Sequence, residues 1–259
     1  MKTKVLQFIW LIFLLTFSLP IALTVLIAFS PDSFLTLPTE KWSTRWFFEF
    51  FQNSRWIEAF KQSFFISTIS TFLGLSIGIA TAYSITKSNM RFKSIVHWMI
   101  LFPMLIPQIV LGIGSTPLLY FLEIQESAIP LIIANTSIIS PVIYLILKKS
   151  LENLAPELDE VATGLGANSY EVFYNITVPL LLPHIIVSGI IAFTISINES
   201  IVSIFLTCQG NETIPSICWS QLKHAPSPMI AVASVLNFLI IMAIACLNLT
   251  ISKITRYLP

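Results

Sequence analysis

Long apolar runs alternate with short polar stretches along this chain. The runs cover Leu6–Phe29, Gln62–Thr86, Ser94–Phe121, Ala128–Leu147, Leu180–Leu206 and Pro228–Ile251, and carry almost no charge. At ~1.5 Å per residue, each is long enough to cross a hydrocarbon core of ~30 Å as a helix. The pattern predicts an all-α integral membrane protein of about six transmembrane helices, in a single domain over residues 1–259.

Details within the runs refine this reading. The first follows Lys2 and Lys4 and is longer than the ~7–15-residue apolar core of a signal peptide. Phe29-Ser30-Pro31-Asp32 is a poor cleavage site, so an uncleaved span with a cytoplasmic N-terminus is expected. Residues 30–60 are rich in aromatics, and Thr44–Phe60 reads as an amphipathic helix at the membrane interface. Gly74 and Gly78 stand four apart in the second run, a spacing that lets helices approach closely. Pro103 and Pro107 predict a kink in the third.

The polar stretch 148–179 differs from the other loops because it still looks helical. Pro156 suits a first helical position, and Glu157, Asp159 and Glu160 crowd the first turn, where the helix dipole favours anions. Gly164 and Gly166 break that helix. Asn168, with Glu171 three residues on, reads as a capping box opening a second helix, which Pro179 is expected to end. The stretch is thus a helical hairpin with Val161, Ala162 and Leu165 on one side. An amphipathic hairpin between two membrane spans needs something to dock against.

Composition agrees with a membrane protein: 55% hydrophobic residues, 10% charged and mean hydropathy +0.84, against about 25% charged in soluble domains. A net charge of +1 argues against a nucleic-acid partner. The distribution of charge fixes an expected orientation. Lys2, Lys4, Lys87, Arg91, Lys93, Lys148, Lys149, Lys253 and Arg256 fall on the side of the N-terminus and the hairpin. Only Lys41, Arg45, Arg55, Lys61 and Lys223 fall on the other. The positive-inside rule then places both termini and the hairpin in the cytoplasm.

Catalytic and metal chemistry has little to stand on. There is no G-x-x-x-x-G-K-[ST], H-E-x-x-H or G-x-S-x-G. His97, His184 and His224 are scattered and read as structural. Cys208 and Cys218 flank one loop, where a disulfide requires an extracytoplasmic location, and Cys246 lies in a span. Glu199, beside Asn198 in ISINESIVSIF, is the notable ionisable residue within a predicted span. Such acids mark functional sites or pair with a partner; the alternative is an acid near the outer interface, reached by water. With Ser196 and Asn198 it makes the candidate pathway group.

Glu160, Val161, Ala162 and Gly166, then Ile176 and Pro179, resemble the cytoplasmic loop motif of permease subunits of binding-protein-dependent ABC importers. That motif runs Glu-Ala-Ala, three residues, Gly, nine residues, Ile-x-Leu-Pro. Here Val161 replaces an alanine and Val178 the leucine, both keeping an apolar side chain. FTISINESIVSIFLT and TIPSICWSQLKHAPSPMIAVAS are similar to the spermidine/putrescine-type branch. The resemblance implies a type I ABC importer permease in the bacterial inner membrane, multi-pass and non-enzymatic. Its implied partners are a second permease, as copy or homologue, cytoplasmic ATP-binding subunits, and a substrate-binding protein outside. ATP and Mg would sit on the partner ATPase and no cofactor on this chain. Glu160, Val161, Ala162, Leu165, Gly166, Ile176 and Pro179 would form the ATPase-coupling surface. A polyamine is the implied substrate, with an aminophosphonate, ferric ion or thiamine as alternatives. An intramembrane enzyme is disfavoured because Glu199 has no His, Lys or Asp partner within the spans. A scaffold would not need the spaced hairpin.

Overall fold

The computed structural model describes residues 2–33, 41–88, 90–155, 157–208, 210–224 and 226–255. Pro156 and Arg256, which entered the reading above, lie outside the described residues. Every regular element among the described residues is a helix. In chain order these are α1 (Lys2–Ala28), α2 (Arg45–Gln52), α3 (Ser54–Lys87), α4 (Lys93–Leu105), α5 (Gln108–Phe121), α6 (Ile129–Glu152) and α7 (Glu157–Gly164). There follow α8 (Ser169–Val172), a π-turn (Phe173–Thr177), α9 (Val178–Ile197), α10 (Ile201–Leu206), α11 (Ile214–His224) and α12 (Met229–Thr255). Among the described residues five helical segments are long and apolar enough to cross a membrane, and the pair α4–α5 brings the number to six if it is one bent span.

The centre of the bundle is α3, α6 and α9. Ala82, Ile139, Ile143, Tyr144, Leu147, Leu151, Leu181 and Ala192 form its buried core. Gly74 and Gly78 serve packing: a Cβ on Gly78 would stand 2.5 Å from Ile143 Cγ2, and one on Gly74 3.0 Å from Ile139 Cγ1. Small residues give such close approach its van der Waals contact where lipid supplies no hydrophobic drive. α1, by contrast, packs against α12 and leaves Leu6, Phe8, Trp10 and Phe17 exposed, as a lipid-facing helix does.

Several boundaries differ from the sequence reading, while the kink expected from Pro103 and Pro107 is present as a sharp bend. The aromatic segment is divided: α2 ends at Gln52, and Asn53 caps α3 by accepting the Trp56 N–H at 3.4 Å. α3 therefore starts at Ser54 rather than near Gln62. At 34 residues it is about 50 Å long and outreaches the hydrocarbon core. Its extra turns bury Trp56 and Ala59 in a cluster with Trp46, Phe50, Ile217 and Val232, a tertiary contact that hydropathy does not register.

The third run is bent by 98° between α4 and α5. Ile106 adopts extended backbone (φ −86°, ψ 125°), because the ring of Pro107 disfavours helical geometry in the residue before it. The stretch 207–227, read as a loop, contains α11, closed by Lys223 and His224 in its last turn.

The fifth run shifts the most. Pro179 does not end a helix. α8, the π-turn and α9 run on as one segment, Ser169–Ile197. The Val178 N–H donates to Phe173 O, five residues back, so the helix widens just before the proline that has no N–H of its own. The segment then breaks at Asn198–Ser200, before α10. Asn198 Nδ2 donates to Thr194 O at 2.8 Å, and Glu199 Oε1 accepts the Val202 N–H at 2.7 Å. These side chains satisfy backbone groups locally and replace the ladder of a continuous helix.

Candidate functional site

The hairpin is built from local rules. α7 ends in a Schellman turn: the Ala167 N–H donates to Ala162 O and the Gly166 N–H to Thr163 O, each at 3.0 Å. Gly166 closes it at φ +94°, a conformation that costs glycine nothing and a side chain a good deal. One residue beyond Ala167, Asn168 caps α8. Its Oδ1 accepts the Glu171 N–H at 3.0 Å, and Glu171 Oε2 accepts the Asn168 N–H at 2.8 Å. The capping box and the Schellman turn abut, so the backbone from Ala162 to Glu171 is held at both ends.

Among the described residues an ion pair and a ring contact tie the hairpin to the bundle. Lys87 Nζ, at the end of α3, lies 2.7 Å from Asp159 Oδ2 in α7. The Tyr83 and Phe173 rings meet edge to face, centroids 4.7 Å apart. Lys87 is thus paired, although its neighbours in sequence contain no acid; the partner is brought by the fold.

Of the coupling residues expected from the motif, Ala162 is buried at 8% exposure and turns toward the protein. Val161 (62%) and Leu165 (84%) face outward, joined by Leu158. Positions 158, 161 and 165 follow the three-and-four spacing of one helix face. The expected grouping of Ala162 with Val161 and Leu165 is therefore divided: the alanine supports the turn, and the larger side chains make the free surface. Glu160 and Pro179 are exposed, and Ile176 is half-buried. Tyr170 of α8 and Tyr174 of the π-turn, tilted against each other with centroids 4.4 Å apart, are also exposed. Leu158 and the two tyrosines were missed in the sequence. The i, i+3, i+7 spacing could have found the leucine.

The candidate pathway group is not gathered on one surface. Ser196 and Glu199 are buried at 4% and 7% exposure. Ser196 Oγ accepts from Asn135 Nδ2 at 2.9 Å. Asn198 faces the other way, accepting from Asn237 Nδ2 of α12 at 2.9 Å. The histidines are also dispersed; His97 Nδ1 meets the Tyr144 hydroxyl at 2.6 Å inside the bundle. Cys208, Cys218 and Cys246 are free thiols. Among the described residues no group of three or more His, Cys, Asp or Glu side chains is placed to hold a metal ion.

Residues 71–256, which include the whole hairpin, match the family described as "Binding-protein-dependent transport system inner membrane component". The chain belongs to this family. Among curated relatives it is similar to the spermidine/putrescine transport system permease protein PotC of Escherichia coli (strain K12), 26% identical over 229 residues, covering 88% of this chain and 86% of the relative. The putrescine transport system permease protein PotI of the same organism is 24% identical over 82% of this chain and 77% of its own. The molybdenum transport system permease protein ModB of Haemophilus influenzae is 25% identical over 75% of this chain and 91% of its own. Among solved structures, a bacterial ABC transporter involved in the import of the acidic polysaccharide alginate shares the fold at TM-score 0.77 and 17% identity, covering 97% of this chain and 96% of that one. The methionine ABC transporter MetNI shares it at TM-score 0.65 and 15% identity, with 76% and 94% covered. The chain is an inner-membrane permease of an ABC importer, and its helical bundle has the type I permease fold.

Proposed function

We propose that this permease forms half of a translocation pathway for polyamines, with its hairpin as the mechanical coupler to a cytoplasmic ATPase. The observation that carries the coupling role is the exposed apolar face of Leu158, Val161 and Leu165 on a hairpin whose backbone is locked and ion-paired to α3. Large apolar side chains standing free beside a membrane span mark a protein contact. A rigid connection to α3 would transmit a push on that face into the central bundle. Glu160, Gly166, Ile176 and Pro179 complete the coupling segment.

In this reading both termini and residues 148–179 face the cytoplasm, following the excess of lysine and arginine there. A second permease, copy or homologue, completes the pathway, ATP-binding subunits dock from inside, and a substrate-binding protein delivers from outside. ATP and Mg are handled by those subunits; this chain performs no covalent chemistry. The polyamine assignment is supported by likeness to permeases named for spermidine and putrescine. A relative named for molybdenum supports a second reading, another small solute.

Uptake by vesicles carrying the chain with its matching ATPase and binding protein tests the substrate. Accumulation of labelled spermidine or putrescine, competed by the unlabelled polyamine and not by molybdate, is the expected result. Molybdate uptake without polyamine uptake would move the assignment to the second reading.

A further inference from the structure

A small polar cavity lies where α3, α6, the α9–α10 break and the residues before α11 meet. One acid enters it, Glu199, at 7% exposure. Among the described residues no lysine, arginine or histidine lies within ion-pair distance of that carboxylate. The backbone N–H groups of Val202, at 2.7 Å from Oε1, and of Ile201 bond to that carboxylate, whose two oxygens keep further lone pairs.

Asn135, at 3% exposure, supplies the second observation. Its Nδ2 faces the Ser196 carbonyl and hydroxyl, at 3.4 and 2.9 Å. A carbonyl only accepts, so the amide is oriented with the nitrogen there. Its Oδ1 is then left buried without any donor, an arrangement that is costly unless something fills it. The hydroxyls of Ser63, Ser203 and Thr213 border the same space. Ser63 Oγ accepts the Ile214 N–H at 2.8 Å, Ser203 Oγ donates to Glu199 O at 2.8 Å, and Thr213 Oγ1 accepts the Ser216 N–H at 3.4 Å. Each hydroxyl oxygen keeps a lone pair.

We propose that this cavity binds one sodium ion, held by Glu199, the Asn135 carbonyl oxygen and the surrounding hydroxyls. The donor set is all oxygen, which suits a hard cation. One carboxylate balances one positive charge, and a divalent ion would leave an excess buried. The space admits a single water-sized particle, which excludes a polyamine chain and disfavours larger monovalent ions. Bound there, the ion joins α3 and α6 to the α9–α10 break and stabilises the backbone where it leaves the helix. The site is independent of which solute is carried and of the ATPase contact.

Thermal unfolding of the full chain in nanodiscs, at constant ionic strength, tests it. Sodium chloride should raise the Tm by at least about 2 °C over potassium or choline chloride, saturably, and Glu199→Gln should remove that increment while keeping the Val202 contact. If that variant does not fold, saturable 23Na line broadening decides: it should be present with the wild-type chain, absent with empty nanodiscs, and undiminished when choline chloride is added alongside the sodium; broadening no greater than with empty nanodiscs would overturn the proposal. Equal Tm in all three salts, or a sodium increment that survives Glu199→Gln, would overturn the proposal.

Discussion

At the scale of single residues, Gly166 and Leu165 do different work side by side. Gly166 holds φ +94° with nothing within 4 Å of where its Cβ would be, so backbone strain alone opposes a substitution. For a β-branched residue that strain is of the order of 1–3 kcal/mol. Gly166→Val should leave the chain inserted but reduce ATPase recovery and transport together, with Glu160→Ala milder. Full transport by a well-expressed Gly166→Val chain would remove the turn from the coupling path. Cys218 makes a separate prediction. Burial pushes its thiol up to about 12, so it stays protonated and poorly nucleophilic at neutral pH. A maleimide at pH 7.5 should label Cys208 well before Cys218; equal rates would contradict the burial.

At the scale of elements, α3 against α6 is the contact to probe. Gly78→Ala forces a methyl group to within 2.5 Å of Ile143 Cγ2, and overpacking of this kind costs about 1–3 kcal/mol. Gly114→Ala in α5 meets nothing within 4 Å and serves as the control. The first should lower the Tm by several degrees and the second should leave it unchanged. Equal effects would mean that the two helices are not in close contact. The Lys87–Asp159 pair is testable by exchange: Lys87→Asp should loosen the hairpin to limited proteolysis, and adding Asp159→Lys should restore protection. The hairpin's turn and cap were legible in the sequence because Gly166, Asn168 and Glu171 act over a few residues. The pair was not, since its acid arrives from another helix. Nor was the break at Glu199, because hydropathy reads ISINESIVSIF as one run and does not see Val202 being capped. The start of α3 was hidden for a similar reason: Trp56 is buried by Phe50 just before it together with Ile217 and Val232 from distant parts of the chain.

At the scale of the whole molecule, orientation in the membrane and coupling to the ATPase are each open to a direct test. Glu126 and Gly210 are exposed at the end opposite the hairpin, whereas Asn211 is buried and holds Gln125 O and Ser127 O at 3.2 and 2.9 Å. Engineered cysteines at Glu126 or Gly210 should therefore react with an impermeant reagent in intact cells, and one at Asn168 should not. The reverse pattern would invert the orientation. The central claim is that the hairpin's apolar face seats an ATPase. Leu165 is 84% exposed, so Leu165→Asp disturbs no packing within the chain. The most direct measurement is recovery of the matching ATPase with the tagged permease, wild type against Leu165→Asp, at equal membrane expression. The account predicts that the wild type retains the ATPase and Leu165→Asp loses most of it. Equal recovery from both would contradict it.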